Sequence, residues 1–104
     1  MSRMLRRAAF FLRHYPATFA SHKFTSTETW AARSAAGIYL VLLDATDMTG
    51  GSLRLDVDSS THDTVNAGSA ELFIVEATTD VEVISQSTPD TFAGTGFATI
   101  TYED

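Results

Sequence analysis

Six apolar residues stand in a row, Ile38, Tyr39, Leu40, Val41, Leu42 and Leu43, closed off by Gly37 on one side and Asp44 on the other. A run of that length is short for a helix and carries no 3.6-residue stripe, so it predicts a strand over 37–44. Successive side chains of a strand point to opposite faces, so an unbroken run makes both faces apolar. Such a strand belongs at the centre of a sheet covered on both sides, or at a contact between subunits.

The rest of the chain beyond Tyr15 fits the same period. Residues 52–58 alternate, with Leu53, Leu55 and Val57 on one face and Arg54, Asp56 and Asp58 on the other. That is the pattern of a half-exposed antiparallel strand. Gly50 and Gly51 precede it and can take positive φ, so a hairpin joining 37–44 to 52–58 is expected. Further strands are predicted over 71–77, 80–87 and 97–103, and one over 27–32 would carry Trp30 into the core. Asn66–Ser69 and Ser87–Asp90 are predicted turns, and Gly94 and Gly96 are expected to loosen the loop before the last strand. Five to seven strands in 104 residues predict one all-β domain. The expected architecture is a small antiparallel sandwich or barrel, with jelly-roll and immunoglobulin-like arrangements both open.

Charge divides the chain. Up to residue 33, Arg3, Arg6, Arg7, Arg13, Lys23 and Arg33 are opposed only by Glu28, a net of +5, whereas beyond it Arg54 alone faces twelve acids, a net of −11. The division predicts a basic, aromatic-rich amino-terminal arm over 1–24, extended or short-helical, on an acidic β-rich domain over 25–104. From Ser2 to Tyr15 apolar and basic residues are placed as in a short amphipathic helix, ended by Pro16. The stretch is similar to a mitochondrial targeting peptide but is expected to be retained. Its apolar run, Ala8–Leu12, is too short for a secretory signal, and no segment approaches the ~20 apolar residues that cross a bilayer.

The candidate interaction residues are therefore Arg3, Arg6, Arg7, Phe10, Phe11, Leu12, Arg13 and Tyr15. Aromatic and arginine side chains dominate protein interfaces, and an acidic surface on another copy would complement this arm. Homo-oligomerisation, or assembly with another protein, follows as the expected partnership. The alternatives are a fold-back of the arm onto its own body, single-stranded nucleic acid held by arginines and stacked aromatics, and an anionic membrane surface.

Motifs for catalysis are missing. The sequence has no cysteine, which removes disulfides, thiolate metal sites and a cysteine nucleophile. Asp56, Asp58 and Ser60 begin like a calcium loop, but Thr61 replaces the required glycine and Ala67 the closing glutamate. His62 and Asp63 are sequence neighbours and would face opposite sides of a strand, and no serine elbow accompanies them. His14, His22 and His62 lack zinc-ligand spacing. Gly94-Thr95-Gly96 begins like a dinucleotide loop but has Thr99 in place of the third glycine. No enzymatic activity, metal or cofactor is expected.

The stretches GIYLVLLDATDMTGGSLRLDVD and TTDVEVISQSTPDTFAGTGFATITYED, behind a basic arm, resemble in texture the small β-rich structural proteins of tailed bacteriophage virions, nearest the capsid decoration or cement proteins. The resemblance implies a virion location on the capsid surface, often as a symmetric oligomer, with the major capsid protein as partner. Tail and head-to-tail connector components share that texture, and a small cellular β-sandwich binding module is the alternative outside a virion. An assembly role predicts that Phe10, Phe11, Leu12 and Trp30 become buried between subunits. A binding module predicts a concave pocket within one subunit.

Overall fold

The computed structural model describes residues 17–103. Ten strands follow one another: β1 (Ala17–Phe24), β2 (Thr29–Arg33), β3 (Gly37–Asp44), β4 (Met48–Gly50), β5 (Ser52–Val57), β6 (Ser60–Asn66), β7 (Ala70–Ala77), β8 (Val81–Gln86), β9 (Ala93–Gly94) and β10 (Gly96–Glu103). No helix occurs among the described residues, so none is long and apolar enough to cross a membrane.

Eight of the strands form two four-stranded antiparallel sheets. Sheet I has the order β1-β10-β3-β7 and sheet II the order β2-β8-β5-β6, while β4 and β9 form a two-stranded ribbon. Apart from the β5–β6 hairpin, the chain changes sheet at each step between these eight strands. Two facing four-stranded sheets linked this way make a jelly-roll sandwich, which resolves the choice left open by the sequence. The inner faces pack Phe24, Tyr39, Val41, Leu43 and Ile100 against Leu53, Leu55, Val81 and Val83, all at most 1% exposed.

Three sequence expectations need correction. Residues 17–24 do not belong to an arm, because β1 pairs with β10 from Ala17↔Glu103 to Phe24↔Gly96 and buries Phe24 completely. The domain therefore begins at or before Ala17, and β1's alternation of Ala20, His22 and Phe24 inward was masked by its polar residues. The expected hairpin between β3 and β5 is also absent, since these strands lie in different sheets. Gly50 and Gly51 make the crossing instead. A Cβ on Gly51, at φ +86°, would meet the Gln86 carbonyl and the Phe92 backbone, so the glycine lets its own backbone pass close to the end of β8 and to the residue before β9. Finally, Gly94 and Gly96 tighten the chain rather than loosen it: Gly94 sits in the β4–β9 ribbon, and Gly96 is buried against Met48 and Leu53.

The strand β6 was not expected. It pairs with β5 through a two-residue turn, Asp58-Ser59, with φ of 54° and 65°. Positive φ at both positions is the type I′ geometry, whose twist matches a tight hairpin. Only Val65 of β6 is buried, so the strand carries almost no apolar alternation to reveal it.

Candidate functional site, an apolar sheet face

The inner face of sheet I explains Tyr39, Val41 and Leu43, but not the residues between them. Ile38, Leu40 and Leu42 alternate onto the outer face, where Leu40 pairs with Ile74 and Leu42 with Leu72 on β7. On the other side Leu40 pairs with Thr101 and Leu42 with Thr99 on β10. Thr101 in turn pairs with Phe19 of β1. The result is two adjacent cross-strand rows, Phe19-Thr101-Leu40-Ile74 and Ser21-Thr99-Leu42-Leu72, with Phe97 in the next row.

The large exposed hydrophobic side chains among the described residues are Phe19 at 70%, Leu72 at 57%, Leu42 at 39% and Phe97 at 38%. All four lie on this face. Scattered exposed apolar residues are ordinary on any surface, but a contiguous set on one sheet face marks an interaction surface. The charged positions of the same face, Asp44, Glu76, Glu103 and Lys23, lie at strand ends or next to them and frame the apolar rows. Among the described residues nothing covers this second face, so the apolar run of β3 is not that of a strand buried on both sides by its own sandwich.

The outer face of sheet II is different. Arg54 donates to both carboxylate oxygens of Asp56, from Nε at 2.8 Å and Nη2 at 3.1 Å. Around this pair stand Thr29, Glu82, Gln86 and Thr64, with Ile84 among them. That face is polar enough to be satisfied by water, as half-exposed antiparallel sheets are.

The candidate arm residues Arg3, Arg6, Arg7, Phe10, Phe11, Leu12, Arg13 and Tyr15 lie outside the described residues. Trp30 falls on β2 as expected, and is half-buried against the core of its own chain. Its ring stacks on His22 at 5.5 Å and 16°, and His22 Nε2 lies 2.6 Å from Glu28 Oε1. Trp30 therefore serves the sandwich of its own chain.

The oxygen-rich segment after β5 has a structural purpose. The Asp58 carboxylate accepts hydrogen bonds from the backbone N–H groups of Thr78, Thr79 and Asp80 and from the hydroxyls of Thr78 and Thr79. The backbone bonds from Thr79 and Thr78 hold its pKa well below the usual carboxylate range. A carboxylate so engaged has its lone pairs filled by donors and is no calcium ligand. His62 packs edge-on to Phe73 at 5.9 Å. Among the described residues no group of three or more His, Asp or Glu is placed to hold a metal ion.

One concavity lies near the β3 end that begins at Gly37. It measures about 300 Å³ and is lined by Arg33, Ile38, Tyr39, Tyr102 and Glu103, among others. Arg33 already lies over the Tyr102 ring at 3.8 Å and donates to the Glu103 carbonyl at 3.4 Å. Tyr39 donates its hydroxyl to the Ala35 carbonyl at 2.6 Å, and burial raises its pKa. The polar groups of this pocket are turned toward one another, and its size is at the bottom of the ~300–1,000 Å³ typical of small-molecule sites.

No protein-family model matches the chain, and no curated protein matches it. Among solved structures it is similar to a chain of the Bacillus endospore appendages, described as forming a novel family of disulfide-linked pili. The identity is 23%, over 85% of this chain and 90% of that one, with a TM-score of 0.39. So distant a likeness does not bear on function, and the present sequence has no cysteine with which to form a disulfide.

Proposed function

We propose that this protein is a non-enzymatic structural subunit that assembles with other protein subunits through the outer face of sheet I. The observation that carries this is the gathering of Phe19, Leu42, Leu72 and Phe97 on one face. Exposing them to water stabilises nothing in the isolated domain, whereas covering them contributes about 25 cal/mol for each Å² of apolar area removed from water. The finer form of the proposal is a capsid decoration or cement protein, bound to major capsid subunits. The textural resemblance of 37–104 supports it, and jelly-roll sandwiches are used among capsid proteins, although that fold serves other functions too. A tail or connector subunit would use the same face.

The test is the full chain beside a Leu42→Ser/Leu72→Ser variant, which alters two exposed positions and no core packing. The native mass of each is measured over a concentration series, and binding of each to purified capsid shells is measured by co-sedimentation. Loss of association in the variant, at an unchanged melting temperature, is the expected result. A variant that associates with itself and with shells as the parent does would overturn the proposal.

A further inference from the structure

We propose that the concavity at the Gly37 end of the sandwich binds a carboxylate carried on a small apolar group, with Arg33 as its anchor. This site is separate from the assembly face, since its anchor stands on β2, in the other sheet. Strict alternation along β2 would set Arg33 on the face opposite Trp30, the outer face of sheet II. The pairing of β2 with β8 shifts register between Trp30 and Arg33, and the guanidinium instead lies 3.8 Å over the ring of Tyr102, which belongs to the inward row of sheet I with Ala98 and Ile100. Bulges of this kind re-aim a side chain beside a functional site. Here the irregularity carries a positive charge to the cavity where β2 ends, β3 begins and β10 ends.

Arg33 is held there without being used up. The Tyr102 ring fixes one face of the guanidinium plane, and Nη1 makes a long bond of 3.4 Å to the Glu103 carbonyl. A guanidinium carries five N–H donors in a rigid fork, so most of this fork is open. No ion pair engages it among the described residues, although residues 17–103 carry twelve acids. Arg54 is the contrast, with both Nε and Nη2 taken by Asp56. Burial raises the Tyr39 pKa and the Arg33 charge acts against that rise, so the field of the guanidinium reaches across the cavity.

The lining selects the ligand. A rigid fork matches the two oxygens of a carboxylate. A single cation on a domain that is acidic overall favours a monoanion over a phosphate dianion. The remaining walls bring the rings of Tyr39 and Tyr102 together with Ala36 and Ile38, and the Tyr39 hydroxyl is already taken by the Ala35 carbonyl. The rest of the ligand is therefore apolar. A volume of about 300 Å³ limits it to a small molecule or to one side chain of a larger one.

Phenylacetate is the probe, titrated into the full chain while the Arg33 Nε–H and Tyr102 amide signals are followed by NMR. Its neutral amide, phenylacetamide, and inorganic phosphate are titrated beside it. A saturable shift with phenylacetate is expected, with affinity at least about tenfold weaker for phenylacetamide, for phosphate, and for phenylacetate itself in Arg33→Gln. No saturable shift with phenylacetate overturns the proposal. So does phenylacetamide binding as tightly as phenylacetate, which needs no variant to be read, or an Arg33→Gln chain that binds phenylacetate as the parent does. Diluting the parent chain alone separates the two sources of the carboxylate. An Arg33 signal that moves with protein concentration, but no longer does so under saturating phenylacetate, assigns it to an acidic side chain of a second copy. A signal that stays in place on dilution, in a chain that binds phenylacetate, assigns it to a free small molecule.

Discussion

The backbone N–H of Thr79 donates to the Asp58 carboxylate at 2.7 Å across twenty-one residues of chain, joining the β5–β6 turn to the β7–β8 turn. This contact ties a sheet II hairpin to the strand that leaves sheet I, so one side chain holds both layers at that corner.

A pH dependence follows. The folded-state pKa of Asp58 is lowered by the Thr79 and Thr78 backbone bonds, so its ionised form stabilises the fold above the ordinary carboxylate value of ~3.9. That stabilisation is lost as pH falls through the lower, folded-state value. Asp58→Asn should be less stable than the parent at pH 7 and should lose less stability between pH 5 and pH 2. Urea midpoints across that range measure both. Some acid sensitivity should persist, because Asp44 is also lowered, by its bonds from Thr46.

At the tip of the same hairpin, Ser59 holds φ at 65° and has no need of its side chain there, being exposed. Ser59→Gly relieves the left-handed strain and matches the Asp-Gly preference of a type I′ turn. A gain of about 0.5–1 kcal/mol is expected in chemical denaturation, and a loss would mean that the turn is held from elsewhere.

Gly51 presents the opposite case. Its φ is +86° and a Cβ would collide with the Gln86 carbonyl oxygen. Gly51→Ala should cost at least ~2 kcal/mol, combining backbone strain with a contact that requires β8 to shift. Thermal unfolding shows this directly.

Ser85 is 2% exposed, donates to the Ser26 carbonyl at 2.6 Å and accepts from the Glu28 N–H at 2.8 Å. Ser85→Ala leaves loop groups between β1 and β2 without that partner, at a cost of about 1–3 kcal/mol. Amide exchange of Glu28 should accelerate as well.

Sidedness of β3 can be read from adjacent substitutions. Leu43 is fully buried and Leu42 is 39% exposed. Leu43→Ala should cost about 2–5 kcal/mol, whereas Leu42→Ala in the monomer should fall within about 0.5 kcal/mol of the parent. Equal costs would mean that both faces of β3 are covered.

The all-β fold was legible wherever apolar periodicity was strong. β3, β5, β7, β8 and β10 lie where alternation or apolar runs placed them, because their inner residues form the core. Alternation reports a strand's faces but not which sheet it joins, so the β3–β5 hairpin was expected where a crossing between layers exists. β6 went unseen because an edge strand with one buried residue has little to alternate. As for the site, the run 38–43 announced a strand with two apolar faces. Only pairing could bring Leu72, Phe97 and Phe19 beside it, since the first two lie 29 and 54 residues beyond the run and the third 19 residues before it.

In sheet I, β10 sits between β1 and β3. The first strand and the third therefore have no bond to one another until the last strand inserts between them. During synthesis on the ribosome the sheet must wait as two separate parts, β1 alone and β3 with β7, until β10 emerges. Arrival of that one strand, rather than of the apolar residues before it, is the event that commits this domain to its fold.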